Sequence, residues 1–579
     1  MTELNRRIIK NLIFIIFVWP FCMNGQVTFS KVPYDKQLVT RAVNDKGKVI
    51  ISGEVDKSGS QPNYESIRVD VYRTKNTIKT LYTTNSQTLS YDRNKASFNF
   101  SISIDAELAN YSLEAYAILD GSGTLINLPT GTGNEIVAGD VYIIQGQSNA
   151  EASIKDVGDS SVENESEFIR VYASGTIDPD KLVNEQDLWY YGKGDASQGA
   201  LGNTGQWGIK LARLILDSEQ IPIAIFNGAT ANRPITYFQA PADYQSSLES
   251  NYGRLYHRLD KTGLKESVRG VLWSQGEATL GISTEDYKNE FLALVSSWKT
   301  DSPGIQKFYI FQTKTHGLGS SFADQMNTKE AQRQLADENL DIHIMTTESL
   351  TSYVEPGYAH FVFTNGYEAF ANRIFPLVKR DFYSGINGVD IEPPMITTAY
   401  LANNTTLVIE TDAGSLIKDA TNIDGFQLNN ANGASINSIN IDNNKIIISL
   451  SEYPGATASI SYIGLDVGTF NGDFIRNTNN LEVVSFHNYP IGDVVLGLDD
   501  IQNDEHLIIT NSLDGFSVKS RSSVNKVKVF DILGKLLYKN SPKEKEFNLK
   551  IDNLKDGTIV IINIKFDNGT IVSKKVIKY

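Results

Sequence analysis

The first stretch of the chain alternates hydrophobic and polar residues in the manner of β-strands. Within residues 67–71 and 98–104, apolar side chains occupy every second position, and turn-forming residues separate such runs. Successive side chains of a strand point to opposite faces, so this pattern predicts half-buried strands. Repeated short strands with turns between them are typical of a sandwich. We therefore predict a β-sandwich over residues 26–135.

The pattern changes at residue 136, where apolar runs begin to alternate with segments whose apolar residues recur every three or four positions. The predicted strands are residues 140–145, 221–227, 269–273, 307–313 and 341–347, and the predicted helices are 205–219, 284–299, 323–337 and 366–379. Strands separated by helices form a parallel sheet that is covered on both faces. In such a domain, ligands bind at the carboxyl ends of the strands. We place this α/β domain at residues 136–390.

A second change follows Glu392, Pro393 and Pro394, which indicate a domain boundary. Short β-type runs return at residues 407–411, 445–450 and 459–463. They predict a second β-sandwich, of immunoglobulin or fibronectin type, over residues 391–490. Residues 491–579 form the last segment. The fold class is therefore multidomain, with one α/β domain flanked by β-sandwich domains.

The amino terminus resembles a secretory signal peptide. Arg6, Arg7 and Lys10 precede an apolar run at residues 12–21, which is shorter than the ~20 residues of a membrane-spanning helix. We predict that residues 1–25 are removed and that the mature chain has no membrane span. The alternatives are a signal anchor and a lipid anchor at Cys22, although Trp-Pro-Phe stands before that cysteine in place of small residues.

Composition narrows the chemistry further. The chain has 68 acidic and 53 basic residues, a formal net charge of −15 and no basic run, which argues against a nucleic acid or an anionic membrane as partner. Its single cysteine, Cys22, would leave with the signal peptide. The mature chain would then have no disulfide, no cysteine–metal site and no thiol nucleophile.

A candidate nucleophile follows the first strand of the α/β domain. Residues 139–150 form an apolar run that ends in Gly-Gln-Ser-Asn, and Ser148 lies in that turn. Gly146 allows the backbone to bend sharply, so the turn can expose the serine hydroxyl at the edge of the sheet. By itself the motif also fits an ordinary Ser/Asn turn. Further blocks are needed to choose between the two.

Two further blocks occur downstream, in a consistent order. Residues 271–277 read Val-Leu-Trp-Ser-Gln-Gly-Glu, and His360 precedes the segment 365–373, Asn-Gly-Tyr-Glu-Ala-Phe-Ala-Asn-Arg. Together with the Ser148 block they resemble the sialate O-acetylesterase and acetylxylan esterase branch of the SGNH hydrolases, over residues 136–385. Residues 222–230, which close on Gly228, are a weaker fourth match. The resemblance implies a flavodoxin-like, three-layer α/β fold.

The resemblance also implies a catalytic set. A serine hydroxyl needs a neighbouring base to attack an ester, and His360 takes that role for Ser148. Many relatives carry an aspartate three residues before the histidine, but Gly357 stands there in this chain. Two glutamates could take the role of that aspartate. Glu277 is favoured as the triad acid, and Glu355, five residues before His360, is the other candidate.

The tetrahedral intermediate of acyl transfer needs donors for its oxyanion. By the resemblance, these are the Ser148 N–H, the Gly228 N–H and the side-chain amide of Gln275. Ser274 stands where histidine is usual, which is a second departure from the family. Neither metal nor cofactor is part of this chemistry. Three aromatic residues follow the Gly228 turn: Tyr237, Phe238 and Tyr244. They would either line a sugar site or pack in the core.

The function implied is that of a secreted carbohydrate esterase that hydrolyses O-acetyl groups of glycans, of sialate or xylan type, through an acyl-serine. Its substrate would be an acetylated oligo- or polysaccharide. Gly357 and Ser274 motivate one alternative, a catalytically inactive glycan-binding or adhesion protein. A hydrolase of lipid or peptide esters with the same fold is another.

The carboxyl-terminal segment 491–579 has its own resemblance. Residues 526–535 read Lys-Val-Lys-Val-Phe-Asp-Ile-Leu-Gly-Lys, residues 554–557 Leu-Lys-Asp-Gly, and residues 574–578 Lys-Lys-Val-Ile-Lys. This pattern resembles the sorting domain of the type IX secretion system. It implies export by that machinery to the cell surface or the medium. The alternative is a third accessory sandwich.

Overall fold

A computed structural model describes most of the chain. The described residues are 26–58, 62–185, 188–279, 281–315, 322–350, 352, 359–383, 385, 388, 390–418, 425–463, 474–492, 507–512, 514–551, 554–555, 557–567 and 569–578. The predicted signal peptide, residues 1–25, lies outside them. In this described part, no helix is both long and apolar enough to cross a membrane.

The described residues form two compact units. The first takes its residues from Met1–Asp35, Lys48–Ser103 and Asn110–Glu135, and the second from Lys36–Gly47, Ile104–Ala109 and Ile136–Tyr579. The amino-terminal strands are β1 (Val27–Lys31), β2 (Leu38–Thr40), β3 (Lys46–Asp56), β4 (Ser66–Lys75), β5 (Ile78–Thr88), β6 (Lys95–Asp105), β7 (Asn110–Leu119) and β8 (Ser122–Ile126).

The first unit consists of two sheets, with strand orders β1-β3-β6 and β5-β4-β7-β8. Along β6, buried and exposed side chains alternate at almost every position, as the sequence pattern predicts. In β4, Ile67, Val69 and Val71 are fully buried. The predicted strands in residues 67–71 and 98–104 are thus confirmed.

The second unit is built around a mainly parallel sheet. Its strands are β2, β9 (Val137–Gly146), β10 (Ile169–Tyr172), β11 (Trp189–Tyr191), β12 (Ile223–Asn227), β13 (Val268–Ser274), β14 (Lys307–Phe311) and β15 (Ile342–Met345). The order is β11-β10-β12-β9-β13-β14-β15, and β2 pairs with the start of β9. Only the edge strand β11 pairs in an antiparallel manner within the described sheet.

Helices cover both faces of this sheet. They are α1 (Ser148–Glu151), α2 (Pro179–Glu185), α3 (Gln206–Glu219), α4 (Asn251–Thr262), α5 (Thr284–Asp301), α6 (Phe322–Glu338) and α7 (Glu368–Phe382). The apolar faces of α4, α5 and α6 contribute to one buried core, whereas α3 and α7 contribute to the other. The predicted three-layer α/β arrangement is confirmed. The sequence pattern did not predict β10 or α4.

A buried ion cluster joins the segment 36–47 to the parallel sheet. Strand β2 pairs in parallel with residues 137–139. Nearby, Arg41 donates from Nε and Nη2 to the two carboxylate oxygens of Asp140, both at 2.9 Å, and Arg269 lies 2.6 Å from the same carboxylate. Asp140 is only 2% exposed, so these cations balance a charge that water does not reach.

The remaining chain is made of strands. They are β16 (Ile396–Asn403), β17 (Thr406–Thr411), β18 (Leu416–Lys418), β19 (Phe426–Asn429), β20 (Ile436–Asp442), β21 (Lys445–Leu450), β22 (Ser459–Tyr462), β23 (Ile475–Asn477), β24 (Phe486–Pro490), β25 (Ile508–Ser512), β26 (Gly515–Asp531), β27 (Leu536–Asn540), β28 (Glu544–Lys550), β29 (Ile559–Phe566) and β30 (Ile571–Ile577). Strands β16–β24 form three sheets over one apolar core, and β25–β30 form a six-stranded sheet. The predicted strands at 407–411, 445–450 and 459–463 are confirmed to within a residue.

Candidate active site

The turn that holds Ser148 depends on a glycine. Strand β9 ends at Gly146, whose φ is +132°, and a Cβ at that position would collide with the Ser274 carbonyl oxygen of the neighbouring strand β13. The Gln147 N–H donates to the same carbonyl at 2.9 Å. Helix α1 then begins at Ser148. The sharp turn predicted from Gly146 is confirmed, and only glycine fits it.

The serine and the histidine meet at this turn. His360 Nε2 lies 2.8 Å from Ser148 Oγ, although the two residues are 212 positions apart in the chain. Ser148 is 9% exposed. When the hydroxyl donates and Nε2 accepts, the imidazole proton resides on Nδ1. This arrangement is what a base needs to take the serine proton during attack on an ester.

The Glu277 carboxylate reaches the histidine loop through Asn149. Asn149 Nδ2 donates to Glu277 Oε1 at 2.5 Å and to the Ala359 carbonyl at 2.8 Å. Tyr367 donates to Asn149 Oδ1 at 2.9 Å. The asparagine therefore fixes the backbone immediately before His360. Sequence reasoning missed this role, although the residue stands in the Gly-Gln-Ser-Asn block.

Burial raises the pKa of Glu277 above its ordinary value, and the hydrogen bond from Asn149 partly opposes that rise. The side chain is 7% exposed. Its proposed alternative, Glu355, lies outside the described residues, as does Gly357. Glu277 as the acid of the triad therefore remains a prediction, with Glu355 as the other candidate.

The oxyanion donors differ from those predicted. The Gly228 N–H donates to the Ile144 carbonyl at 2.8 Å, as part of the pairing between β12 and β9. It is engaged in the sheet, so its assignment as a donor to substrate is wrong for this conformation. By contrast, the Ser148 N–H lies in the first turn of α1 and makes no hydrogen bond to any described residue. It is available to a substrate oxygen.

The Gln275 side chain is tied to the loop that follows β12. It is fully buried, and its Nε2 donates to the Arg233 carbonyl at 3.2 Å. Tyr287 OH and Gln332 Nε2 hold its backbone carbonyl at 2.8 and 2.9 Å. A side-chain amide has two N–H donors, and the bond to Arg233 uses one of them. The role of Gln275 as an oxyanion donor remains a prediction.

A buried network of side-chain amides links the end of β9 to the loop that follows β12. Gln145 Nε2 donates to Asn251 Oδ1 at 2.6 Å, and Asn251 Nδ2 donates to the Gly228 carbonyl at 2.8 Å and to Thr230 Oγ1 at 3.1 Å. The Thr230 N–H in turn donates to the Gly146 carbonyl at 3.0 Å. Sequence reasoning missed Asn251 because it missed α4. These bonds fix the loop after β12 against the serine turn.

The three aromatic residues after the Gly228 turn have different surroundings. Phe238 is fully buried and packs edge-on against Trp273, with ring centroids 5.4 Å apart. Tyr244 donates to Asp301 at 2.7 Å and packs against Tyr252. Tyr237 is half-buried, and the Arg233 guanidinium lies over its ring. Phe238 is therefore a core residue, whereas Tyr237 and Tyr244 are partly exposed.

Comparison with known proteins supports the esterase resemblance. Residues 138–372 match the family model described as "Carbohydrate esterase, sialic acid-specific acetylesterase", and residues 496–578 match "Domain of unknown function (DUF8694)". A search of curated proteins found no match. The family match and the α/β fold support a carbohydrate esterase domain at residues 138–372.

Two solved structures give the structural context. A carbohydrate acetylesterase from Xanthomonas citri is 16% identical, with 79% of this chain and 98% of that chain covered and a TM-score of 0.53. A family two carbohydrate esterase from Clostridium thermocellum, in complex with cellohexaose, is 10% identical, with 62% and 97% covered and a TM-score of 0.25. The first of these shows a shared fold.

Replacing Glu277 tests the identity of the acid. In Glu277→Gln the amide oxygen still accepts from Asn149, but the negative charge that would stabilise an imidazolium is lost. We expect kcat/KM for acetyl esters to fall by about 10⁴-fold, as for other triad carboxylates.

The matched comparison is Glu355→Gln, assayed with the same substrate. If Glu277→Gln keeps its activity within tenfold of the wild type while Glu355→Gln loses it, Glu277 is not the acid. Thermal unfolding of both variants shows whether a loss of activity comes from a loss of fold.

Proposed function

We propose that this protein is a secreted serine esterase that removes O-acetyl groups from glycans. The observation that carries the proposal is the 2.8 Å contact between Ser148 Oγ and His360 Nε2 at the carboxyl end of β9. The family match over residues 138–372 supports a carbohydrate substrate. The same contact favours an enzyme over an inactive glycan-binding protein.

The reaction begins when His360 takes the Ser148 proton and Oγ attacks the acetyl carbonyl carbon. The Ser148 N–H and the spare N–H of Gln275 stabilise the oxyanion that forms. The imidazolium then returns the proton to the sugar oxygen, which leaves as an alcohol. In the second half, His360 deprotonates a water molecule that attacks the acyl-serine. Acetate leaves and Ser148 recovers its proton.

The proposal extends to the location of the protein. Residues 1–25 act as its signal peptide, and residues 491–579 direct export through the type IX secretion machinery. The match of residues 496–578 to a domain of unknown function is compatible with this role. Cell fractionation of the full chain and of a chain truncated after residue 490 tests it: the truncated chain should remain in the periplasm.

Acetate release from defined substrates tests the enzymatic proposal. We expect the full chain to liberate acetate from O-acetylated sialosides or acetylated xylan, and to hydrolyse p-nitrophenyl acetate faster than p-nitrophenyl octanoate. A preference for octanoate would indicate a lipid esterase instead. The absence of acetate from every acetylated glycan, with purified and folded protein, would overturn the proposal.

A further inference from the structure

The loop after β12 places the positively charged side chain of Arg233 near the proposed active site. Its first part is tied to the serine turn by the bond from the Thr230 N–H to the Gly146 carbonyl. Its later part is tied to Gln275, because the Gln275 amide donates to the Arg233 carbonyl at 3.2 Å. Arg233 is therefore one hydrogen bond away from a side chain that we assign to the oxyanion. The loop therefore lies beside the serine turn and the proposed oxyanion donor.

The Arg233 side chain is exposed and held in place. Its guanidinium carbon lies 4.6 Å from the centroid of the Tyr237 ring, within the range of a cation–π interaction. Two local features limit the freedom of this loop: Asn232 has a φ of +55°, and Pro234 follows directly. An arginine that rests on an aromatic ring loses less conformational entropy when it binds a ligand.

No carboxylate of the described residues balances the charge of Arg233. Within the described part of the chain, no carboxylate lies within 4.0 Å of its guanidinium. The neighbouring Arg254, in contrast, is buried and donates to the carbonyls of Leu248 and Glu249. Arg233 is suited to binding an anion.

We propose that Arg233, supported by Tyr237, binds a carboxylate on the acetylated sugar and thereby determines the substrate class. The planar guanidinium donates two parallel N–H bonds to a carboxylate, and the Tyr237 ring offers an apolar surface beside it. The site therefore prefers an acetylated acidic sugar, such as a nonulosonic or hexuronic acid, over a neutral one such as acetylated xylose. This inference rests on the proposed function and names the substrate class for the same site.

The test compares two substrates that differ only in the carboxylate. One is an O-acetylated methyl sialoside, and the other is its carboxyl methyl ester, with acetate release measured for both. Hydrogen bonds to charged groups discriminate by roughly 10- to 100-fold in kcat/KM. We expect the wild type to prefer the free acid by such a factor. In Arg233→Gln the ratio between the two substrates should approach one.

The control variant is Arg213→Gln, which removes another exposed arginine, one that pairs with Asp217 on α3. It should keep the preference of the wild type. A preference that persists in Arg233→Gln would overturn the inference. An equal loss of activity on both substrates would do so too, because it would indicate a purely structural role.

Binding separates this inference from the proposed function. In Ser148→Ala, the deacetylated sialoside should bind more tightly than its methyl ester, and the added Arg233→Gln substitution should abolish the difference. If this discrimination is seen while the wild type releases no acetate from any ester, the enzymatic proposal fails and the carboxylate site stands. If binding does not discriminate, the carboxylate site is wrong even where hydrolysis is observed.

Discussion

Ser148→Ala is expected to lower the rate of acetyl-ester hydrolysis by about 10⁶-fold, the size of the loss when a nucleophile is removed from a comparable serine hydrolase. Without Oγ no acyl-enzyme forms, and only water held near the oxyanion donors can react. The measurement is initial-rate hydrolysis of p-nitrophenyl acetate, with acetate release from a glycan as a second readout. The fold should be retained, since the only side-chain hydrogen bond of Ser148 to a described residue goes to His360.

Ser153→Ala provides the matched control for this substitution. Ser153 is also 9% exposed, lies five positions further along the chain and is contacted by Lys155 rather than by a histidine. Its variant should hydrolyse the ester at nearly the wild-type rate. If Ser148→Ala kept more than about a tenth of the wild-type rate, another residue would be the nucleophile.

His360→Ala should cost nearly as much, because the serine hydroxyl then has no base within hydrogen-bond distance among the described residues. In serine hydrolases the nucleophile and the base act as a unit, so their losses are not additive. We therefore expect Ser148→Ala/His360→Ala to be about as slow as either single variant. The kinetics of the three variants, measured under identical conditions, check this expectation.

A second histidine variant shows whether the effect is specific. His487 lies on β24 and contacts Ser461 at 3.1 Å. His487→Ala should leave the rate close to that of the wild type. Losses in the double variant that equal the product of the two single losses would show that Ser148 and His360 act independently, against the proposed pair.

The sequence predicts the central layers of the α/β unit well because their pattern is strong. Strands β9, β12 and β14 each contain an uninterrupted apolar run, at residues 141–144, 223–226 and 308–311, and α3 and α5 present one wide apolar stripe each. Strand β10 has only four residues, too few to show a period. Helix α4 is polar over most of its surface, with Tyr252, Leu255 and Leu259 as its buried apolar positions. A narrow stripe of this kind is easily read as a loop.

The sequence predicts those site residues that a motif identifies. It does not predict the hydrogen bonds that depend on how distant segments of the chain pair. The motif blocks identify Ser148 and His360, and the structure brings these side chains together. The sequence does not reveal that the Gly228 N–H is used by Ile144, because that depends on the register between β12 and β9. The role of Asn149 was also missed, since it follows from two bonds to residues far along the chain.

The parallel pairing of β2 with β9 has a consequence for biogenesis. Arg41 and its partner Asp140 are 99 positions apart, and the intervening chain builds most of the first unit. At translation rates of about 5–20 residues per second, β2 emerges from the ribosome roughly 5 to 20 s before its partner strand. During that interval Leu38 and Val39, which end up buried, remain without their strand partner. The amino-terminal segment therefore cannot complete this part of the fold until residues 137–139 have been synthesised.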